Sequence, residues 1–318
     1  MNLSKKILTW YDNNQRTLPW RISKNSNKKQ YYRLLSEFML QQTQVKTVIP
    51  YFNNFVKKIP NLKTLSETKE KTILKLWEGL GFYRRAKNLH KSSKLLIKKY
   101  RGKIPSNFKQ LKELPGIGDY TANVLLALIY NQPRIGIDGN VKRVLSRLFN
   151  SNNLDKTSLF KTKRHSDLAE ALIEFGALIC KPKEPRCLEC NIKKICSYYK
   201  SKPKIKFNKK IKIDSKNYDI FCYLKKDKKQ IALTKNNNLS FLKEFNLPKI
   251  KERSKKNKDW KFLCNYKNSI SNKKLNINLY YKFSLRIPPK YNWYSLEKNK
   301  EFIPSFTKNI FKQITHLY

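Results

Sequence analysis

The sequence is poor in histidine, with only His90, His165 and His316 among its 318 residues. So few imidazoles disfavour any mechanism that needs several of them. Long hydrophobic runs are also lacking, since the longest apolar stretch, residues 124–130, is far too short to span a membrane. Residues 1–12 contain no apolar segment of the kind found in signal peptides. We therefore expect a soluble cytosolic protein without a membrane partner.

Acidic residues are scarce as well, with 22 Asp and Glu against 70 Lys and Arg, and the formal net charge is +48. A field of this sign attracts polyanions, and nucleic-acid phosphate is the usual partner. Lys, Asn and Ile are all abundant, however, as expected when an AT-rich genome biases codon usage. In that case the charge lies on solvated helix faces. Composition alone leaves both interpretations open.

Strand-like alternation is scarce before residue 200, where apolar residues recur at helical spacing and Pro and Gly separate the segments. The Lys-rich text that follows is typical of a linker. The sequence therefore predicts a helical domain at 1–199, a basic linker at 200–217 and a small α+β domain at 218–318. In this last domain the predicted strands are residues 218–224, 230–234 and 275–285, and a closing helix is predicted at 304–317.

Cys180, Cys187, Cys190 and Cys196 follow the spacing C-x6-C-x2-C-x5-C. In a long cytosolic chain such cysteines are metal ligands or core residues rather than disulfides. Four thiolates around one C-x2-C pair suit a [4Fe–4S] cluster or a structural zinc, although zinc sites commonly use two such pairs. We predict a metal site of structural role. Four unrelated core cysteines are the alternative.

The motif LPGIGDY contains Leu114, Gly116 and Gly118 and is followed by a helical pattern. A G-x-G turn that enters a helix aims free backbone amides at an anion, and glycine lets the backbone approach a phosphate closely. A simple turn between two helices is the alternative. Because a helix with Phe108 and Leu111 precedes the motif, we predict a helix–hairpin–helix, which grips the DNA backbone without reading sequence.

Two carboxylates have suggestive surroundings. Glu37 lies in the apolar segment LLSEFMLQQ, where burial would raise its pKa and keep it protonated; a place on the exposed stripe of the helix is the alternative. Asp138 precedes the helix VKRVLSRLF, for which Asn140 is the predicted N-cap, and a turn or capping role is the alternative for Asp138. A protonated acid paired with an ionised carboxylate is the logic of glycosidases.

The chain shows SEFMLQQTQVKTVIPYF, WEGLGFYRRAKNLH, LPGIGDYTAN, IDGNVKRVL and the four-cysteine loop in this order. It thereby resembles the A/G-specific adenine DNA glycosylases (MutY) of the endonuclease III superfamily. The resemblance covers residues 7–198 and continues weakly to the end, where no Nudix hydrolase box is present. It implies a mainly α helix–hairpin–helix glycosylase with a [4Fe–4S] loop, followed by a C-terminal α+β Nudix-like domain.

The resemblance also implies roles for individual residues. Glu37 would protonate the adenine ring, Asp138 would stabilise the oxocarbenium-like sugar, and Tyr120 and Asn140 would assist. The implied DNA contacts are Gln42, Thr43, Phe82, Leu114, Gly116, Gly118 and Asn272. The implied substrate is duplex DNA in which adenine faces 8-oxoguanine or guanine, and we expect a monomer in the bacterial cytosol or nucleoid.

Two alternatives remain beside adenine excision. Endonuclease III-type lyases resemble this chain but have a lysine where it has Tyr120, and they lack the second domain. A non-catalytic DNA-binding relative is the other alternative, which the intact pair of Glu37 and Asp138 disfavours. In the loop that senses the base opposite adenine, Ile270, Ser271 and Asn272 replace the family's F-S-H. The preference for 8-oxoguanine over guanine therefore stays open.

Overall fold

The computed structural model describes residues 3–21, 26–150, 157–201, 214–235, 242, 245–253, 259–270, 273–297 and 302–318. The chain divides into two units, residues 1–206 and 207–318. In the described ranges no helix has both the length and the apolar composition that crossing a bilayer requires.

The first unit is helical, as the spacing of its apolar residues predicts. Its helices are α1 (Leu3–Asn14), α2 (Ser26–Leu40), α3 (Val45–Lys58), α4 (Leu62–Glu67), α5 (Glu70–Leu76), α6 (Arg84–Tyr100), α7 (Phe108–Lys112), α8 (Asp119–Tyr130), α9 (Gly139–Phe149), α10 (His165–Leu178) and α11 (Ser197–Ser201).

The core of this unit forms where the apolar stripes of the helices meet. In α2 the side chains of Leu34, Leu35, Phe38 and Met39 are fully buried. Helices α1, α9 and α10 share a second cluster, in which the rings of Trp10 and Phe175 lie edge to face at 4.9 Å. Burial of these helix faces fixes the side chains that project between them.

The predicted helix–hairpin–helix is present as α7, a tight turn and α8. Asn107 caps α7, since its Oδ1 accepts the backbone N–H of Lys109 at 2.9 Å. Leu111, Leu114 and Ile117 are buried and hold the turn against the core. The N-terminus of α8 therefore faces outward at a fixed position.

The second unit is an α+β structure built on a mixed sheet. Its elements are β1 (Asp214–Lys225), β2 (Gln230–Leu233), β3 (Lys249–Glu252), β4 (Lys261–Ile270), β5 (Lys273–Phe283), β6 (Asn292–Ser295) and helix α12 (Ser305–Ile314). The strand order is β4-β5-β1-β2-β6, and β3 also pairs with β1. Strands β1 and β5 are parallel, whereas the other pairs are antiparallel.

The sheet has one core face. Ile220, Cys222 and Leu224 of β1 alternate toward this face and pack in one cluster with Phe306 and Ile310 of α12. The closing helix is thus close to its predicted place, and the three predicted strands exist within a few residues of their predicted bounds.

The sequence prediction for this region needs two corrections. Strands β3, β4 and β6 were missed, because polar residues interrupt their alternation. The sheet also begins at Asp214, inside the predicted linker, where β1 pairs in parallel with Lys273 and Lys274 of β5. A partner so distant in sequence leaves no local signal. Most of the predicted linker, residues 202–213, lies outside the described residues.

Candidate active site

Glu37 projects from α2 into the helical core, and only 7% of its surface is exposed. Burial raises the pKa of Glu37 to about 7. The cation of Arg33 opposes this shift, while the carboxylates of Glu170 and Asp138 add to it. The buried position is the one expected from the apolar neighbours. Glu37 therefore keeps its proton up to about neutral pH and is able to donate it.

Asp138 is the N-terminal cap of α9. Its Oδ1 accepts the backbone N–H of Val141 at 2.7 Å, and its Oδ2 accepts Nδ2 of Asn140 at 3.0 Å. A helix N-terminus favours a carboxylate through its free amides and its macrodipole. The capping alternative for Asp138 is therefore correct. The same hydrogen bonds hold the carboxylate, which is half-buried, in one orientation.

The predicted N-cap role of Asn140 is wrong. Asn140 lies inside α9, which begins at Gly139. Asp138 takes the capping position because its side chain reaches the free amide of Val141 across the first turn. Two capping residues stand two positions apart in the sequence, and the spacing alone does not choose between them.

Asn140 instead links Asp138 to an arginine. Its Oδ1 accepts Nη2 of Arg143 at 2.8 Å. Arg143 also donates to the backbone carbonyls of Gly176 and Cys180, each at 2.7 Å. A continuous chain of hydrogen bonds thus runs from Asp138 to the first residue of the four-cysteine loop.

Tyr120 is the second residue of α8 and lies near both carboxylates. Burial raises the pKa of its phenol, and Glu37 and Asp138 raise it further. The phenol therefore stays neutral and able to donate a hydrogen bond. The structure thus brings Glu37, Tyr120 and Asp138 within electrostatic reach of one another, and Asn140 joins them through Asp138.

A buried ion-pair network in α10 was missed from the sequence. Glu174 pairs with Arg16 at 2.7 Å and with Arg21 at 2.8 Å, and Glu170 pairs with Arg21 at 3.0 Å and with Arg33. Burial alone would raise the pKa of Glu170, but the charges of Arg33 and Arg21 outweigh it and lower the pKa. The sequence feature that could have predicted this network is the pair of carboxylates, Glu170 and Glu174, one turn apart in an apolar helix.

The two hairpin glycines differ in what the fold requires of them. Gly116 has φ of +84°, and a Cβ there would lie 2.8 Å from the Phe38 ring. Gly118 has φ of −92° and ψ of −178°, which any residue adopts, and no atom lies within 4 Å of its Cβ position. Gly116 is therefore required by the turn. Gly118 leaves the space in front of the α8 N-terminus open.

The four cysteines of the loop line one cavity, together with Arg147 and other residues. Nη1 of Arg147 lies 3.4 Å from the Cys180 sulfur, and the Cys196 thiol lies 3.4 Å from the Arg147 carbonyl. In the described residues no group of three or more His, Cys, Asp or Glu is arranged to hold a metal ion. Four soft sulfur ligands around one cavity nonetheless fit the donor set of an iron–sulfur cluster, which four thiolates would hold.

Comparison with known proteins identifies the superfamily of the helical unit. Residues 35–170 match the profile described as the HhH-GPD superfamily base excision DNA repair protein. Residues 35–170 belong to the HhH-GPD superfamily. The match contains Glu37, the hairpin, Tyr120 and Asp138, so the convergent side chains all lie on the superfamily's fold.

Named relatives of this chain are adenine DNA glycosylases. The chain is 39% identical over 239 residues to the adenine DNA glycosylase of Buchnera aphidicola subsp. Baizongia pistaciae, and this match covers 71% of this chain and 62% of the relative. The chain is 35% identical over 211 residues to the adenine DNA glycosylase of Mus musculus, and this match covers 61% of this chain and 41% of the relative. The chain therefore matches less than two thirds of the length of these relatives.

Solved structures agree on the HhH-GPD fold. A thermostable thymine-DNA glycosylase is 27% identical with a TM-score of 0.56, covering 62% of this chain and 95% of the other. A non-covalent endonuclease III–DNA complex is 22% identical with a TM-score of 0.51, covering 62% and 94%, and supports the fold alone. Both match about the length of the helical unit.

The remaining predicted DNA contacts of the HhH-GPD unit lie on two turns. Gln42 and Thr43 follow the end of α2, and Phe82 precedes α6; Gln42 is exposed and Phe82 is 40% exposed. Both Gln42 and Phe82 have a left-handed backbone, with φ of +57° and +48°. In the second unit, Ser271 and Asn272 lie outside the described residues, so their place in a lesion-sensing loop stays a prediction.

Proposed function

We propose that the protein is a DNA N-glycosylase that excises adenine mispaired with guanine or 8-oxoguanine in duplex DNA. The observation that carries this proposal is the convergence of a buried, protonated Glu37 with Tyr120 and Asp138 beside a helix–hairpin–helix. Relatives named adenine DNA glycosylases, at 31 to 40% identity, favour adenine as the base. We also propose that the protein acts in the bacterial cytosol or nucleoid.

Glu37 would act as the general acid. Its proton passes to a ring nitrogen of the adenine as the bond between base and sugar breaks, so that adenine leaves as a neutral molecule. A water then adds to the sugar carbon and returns a proton to the Glu37 carboxylate. A pKa of about 7 suits both halves of this cycle, since both forms of Glu37 are accessible near neutral pH.

Asp138 would stabilise the positive charge that develops on the sugar. Its two hydrogen bonds orient the carboxylate before the substrate arrives, so no reorganisation is needed during the reaction. Tyr120 supplies a neutral hydroxyl that interacts electrostatically with both carboxylates. Since residue 120 is not a lysine, no amine is available there for a Schiff base with the sugar. We therefore propose a monofunctional glycosylase without lyase activity.

The α8 N-terminus and its turn would hold the DNA backbone, with Leu114, Gly116 and Gly118 closest to the phosphate. Gln42, Thr43 and Phe82 would enter the duplex beside the extruded adenine, because an enzyme must take its target base out of the stack. The second unit, including Asn272, would sense the opposite base, and we propose that it is Nudix-like and that the protein acts as a monomer.

The four cysteines would hold a [4Fe–4S] cluster, whose role is to fix the shape of the basic loop. All four thiols line one cavity, and Arg147 binds the Cys180 sulfur and the neighbouring carbonyls of Lys181 and Pro182. Arginine beside thiolates offsets part of their negative charge. A cluster bound here would also fix the Cys180 carbonyl that Arg143 contacts.

Four end-labelled duplexes test the proposal: adenine opposite 8-oxoguanine, adenine opposite guanine, thymine glycol opposite adenine, and thymine opposite guanine. Each is incubated with pure protein and analysed with and without hot alkali. We expect strand breaks only in the two adenine mispairs and only after alkali. Breaks at thymine glycol without alkali would instead identify a bifunctional lyase. Release of thymine opposite guanine would show that thymine, and not adenine, is the base that the protein excises.

Binding of all four duplexes without release of any base would identify a non-catalytic relative. The ratio of the two adenine rates measures the preference for 8-oxoguanine that the altered loop leaves open.

A further inference from the structure

The Arg85 guanidinium lies buried at the start of α6, with 7% of the residue exposed. Its Nη1 donates to the backbone carbonyls of Phe38 at 3.1 Å, Met39 at 2.6 Å and Gln41 at 2.6 Å. These acceptors belong to the end of α2 and the turn that follows it. One side chain therefore binds three carbonyls of another helix end.

The contact completes the hydrogen bonding of α2. The last carbonyls of a helix have no donor inside the helix. The Glu37 carbonyl accepts the N–H of Gln41 and the Leu40 carbonyl accepts the N–H of Thr43. Those of Phe38 and Met39 accept Arg85 instead. A cation at this helix end is also favoured by the macrodipole.

The other half of the same fork holds the turn before α6. Nη2 of Arg85 donates to the carbonyls of Leu80 at 3.4 Å and Gly81 at 3.2 Å, and the Trp77 indole also donates to Gly81. The Arg85 Cζ lies 5.5 Å from the Trp77 ring and 5.2 Å from the Phe82 ring, which is cation–π distance. Arg85 thus joins two turns that are far apart in the sequence.

Each of these turns presents one exposed side chain from an unfavourable backbone. Gln42 follows the Gln41 carbonyl, and Phe82 follows the Gly81 carbonyl. Both have φ values in the left-handed region, which disfavours residues with a Cβ and persists only where the surroundings enforce it. The Arg85 fork binds the residue directly before each of them.

We propose that Arg85 is a positioning residue for base extrusion, which fixes Gln42 and Phe82 at the spacing with which they enter the duplex. This inference rests on the proposed function, since only an enzyme that extrudes its target base needs such a pair. Burial lowers the pKa of Arg85 to about 10, so the group remains a cation at neutral pH. A lysine would keep the charge but lose the planar fork that reaches both turns.

The test compares Arg85→Lys with Arg84→Lys, a matched control at the neighbouring exposed arginine of the same helix. Single-turnover release of adenine opposite guanine is measured in two duplexes. In the first, every base pair beside the mispair is matched, and in the second, further mismatches flank the mispair and open the duplex. We expect Arg85→Lys to lower the rate about tenfold to a hundredfold in the paired duplex and less than about threefold in the opened one. Arg84→Lys should match wild type on both.

An equal loss on both duplexes, or no loss on either, would overturn the inference. Thermal melting followed by circular dichroism checks that Arg85→Lys is folded. If it is not, Arg85→Gln, which keeps an amide donor, is tested in its place. Adding Arg85→Lys to Phe82→Ala should cost little beyond Phe82→Ala alone, because both act on one step. Independent, additive losses would contradict a shared role. A wild type that releases no adenine from either duplex would instead overturn the proposed function.

Discussion

Asn140 holds the carboxylate of Asp138 through an Nδ2–Oδ2 hydrogen bond of 3.0 Å, while its own Oδ1 accepts Arg143 at 2.8 Å. The amide is therefore fixed at both ends. Asp138 depends on Asn140 for one oxygen and on the Val141 N–H for the other. These hydrogen bonds therefore fix the orientation of the Asp138 carboxylate.

We predict that Asn140→Ala lowers the single-turnover rate of adenine release about tenfold or more, because Oδ2 of Asp138 loses the group that orients it. The exposed Asn54→Ala in α3 is the control and should have the wild-type rate. DNA affinity, measured by fluorescence anisotropy, should be the same for both variants. A wild-type rate for Asn140→Ala would show that Asp138 needs no such orientation.

A buried acid with a raised pKa makes stability depend on pH. The pKa of Glu37 rises from 4.5 to about 7 on folding, so between these values the folded state binds the proton that the unfolded state has lost. Stability therefore falls as pH rises through this window, by roughly 3 kcal/mol at most. Glu37→Gln removes the titrating group, and we predict that it is more stable than wild type at pH 8 by up to about this amount.

Urea unfolding of both proteins at pH 4.5 and pH 8 measures this difference. The gain of Glu37→Gln over wild type should grow between the two pH values. A gain that does not change with pH would mean that the carboxyl is not desolvated in the folded protein.

The hairpin glycines should separate folding from DNA binding. Gly116→Ala forces a Cβ into a left-handed residue that faces the Phe38 ring, and we predict a loss of about 2 to 4 kcal/mol in the free energy of unfolding. Gly118→Ala meets no atom and has an ordinary backbone. It should melt like wild type but bind duplex DNA more weakly. If Gly118→Ala binds duplex DNA with wild-type affinity, the DNA phosphate does not bind at the α8 N-terminus beside Gly118.

The cysteine loop should bind iron. We predict about four iron and four sulfide ions per chain in protein purified without oxygen. Cys190→Ala should lose them, whereas Cys264→Ala in the second unit should keep them. Metal and sulfide analysis gives the count, and a single zinc per chain would contradict the cluster.

Local patterns in the sequence predicted much of the helical unit. The helices follow from 3.6-residue spacing of apolar residues, the hairpin from LPGIG before an apolar helix, and the burial of Glu37 from Leu34 and Phe38 on either side. These features depend on residues within one or two turns. The helix N-cap was assigned to Asn140 instead of Asp138 because two good capping residues stand close together.

Contacts between distant segments could not be predicted in this way. Arg33 and Glu170 pair across 137 residues, and the acceptors of Arg85 come from two turns about forty positions apart in sequence. Nothing in the local spacing of an arginine indicates which carbonyls it will bind. The strands β3, β4 and β6 were missed because polar residues interrupt their alternation, and the neighbours that stabilise these strands lie elsewhere in the chain.

The most direct test of the central claim, that protonated Glu37 drives excision of adenine, is single-turnover release from an adenine–guanine duplex by wild type and by Glu37→Gln. Glutamine keeps the shape of the side chain but has no proton to give. We predict that the variant binds the duplex with wild-type affinity and releases adenine at least about a hundredfold more slowly, which is the lower end of what general acid catalysis contributes. Equal rates for the two proteins would contradict the assignment of Glu37 as the acid.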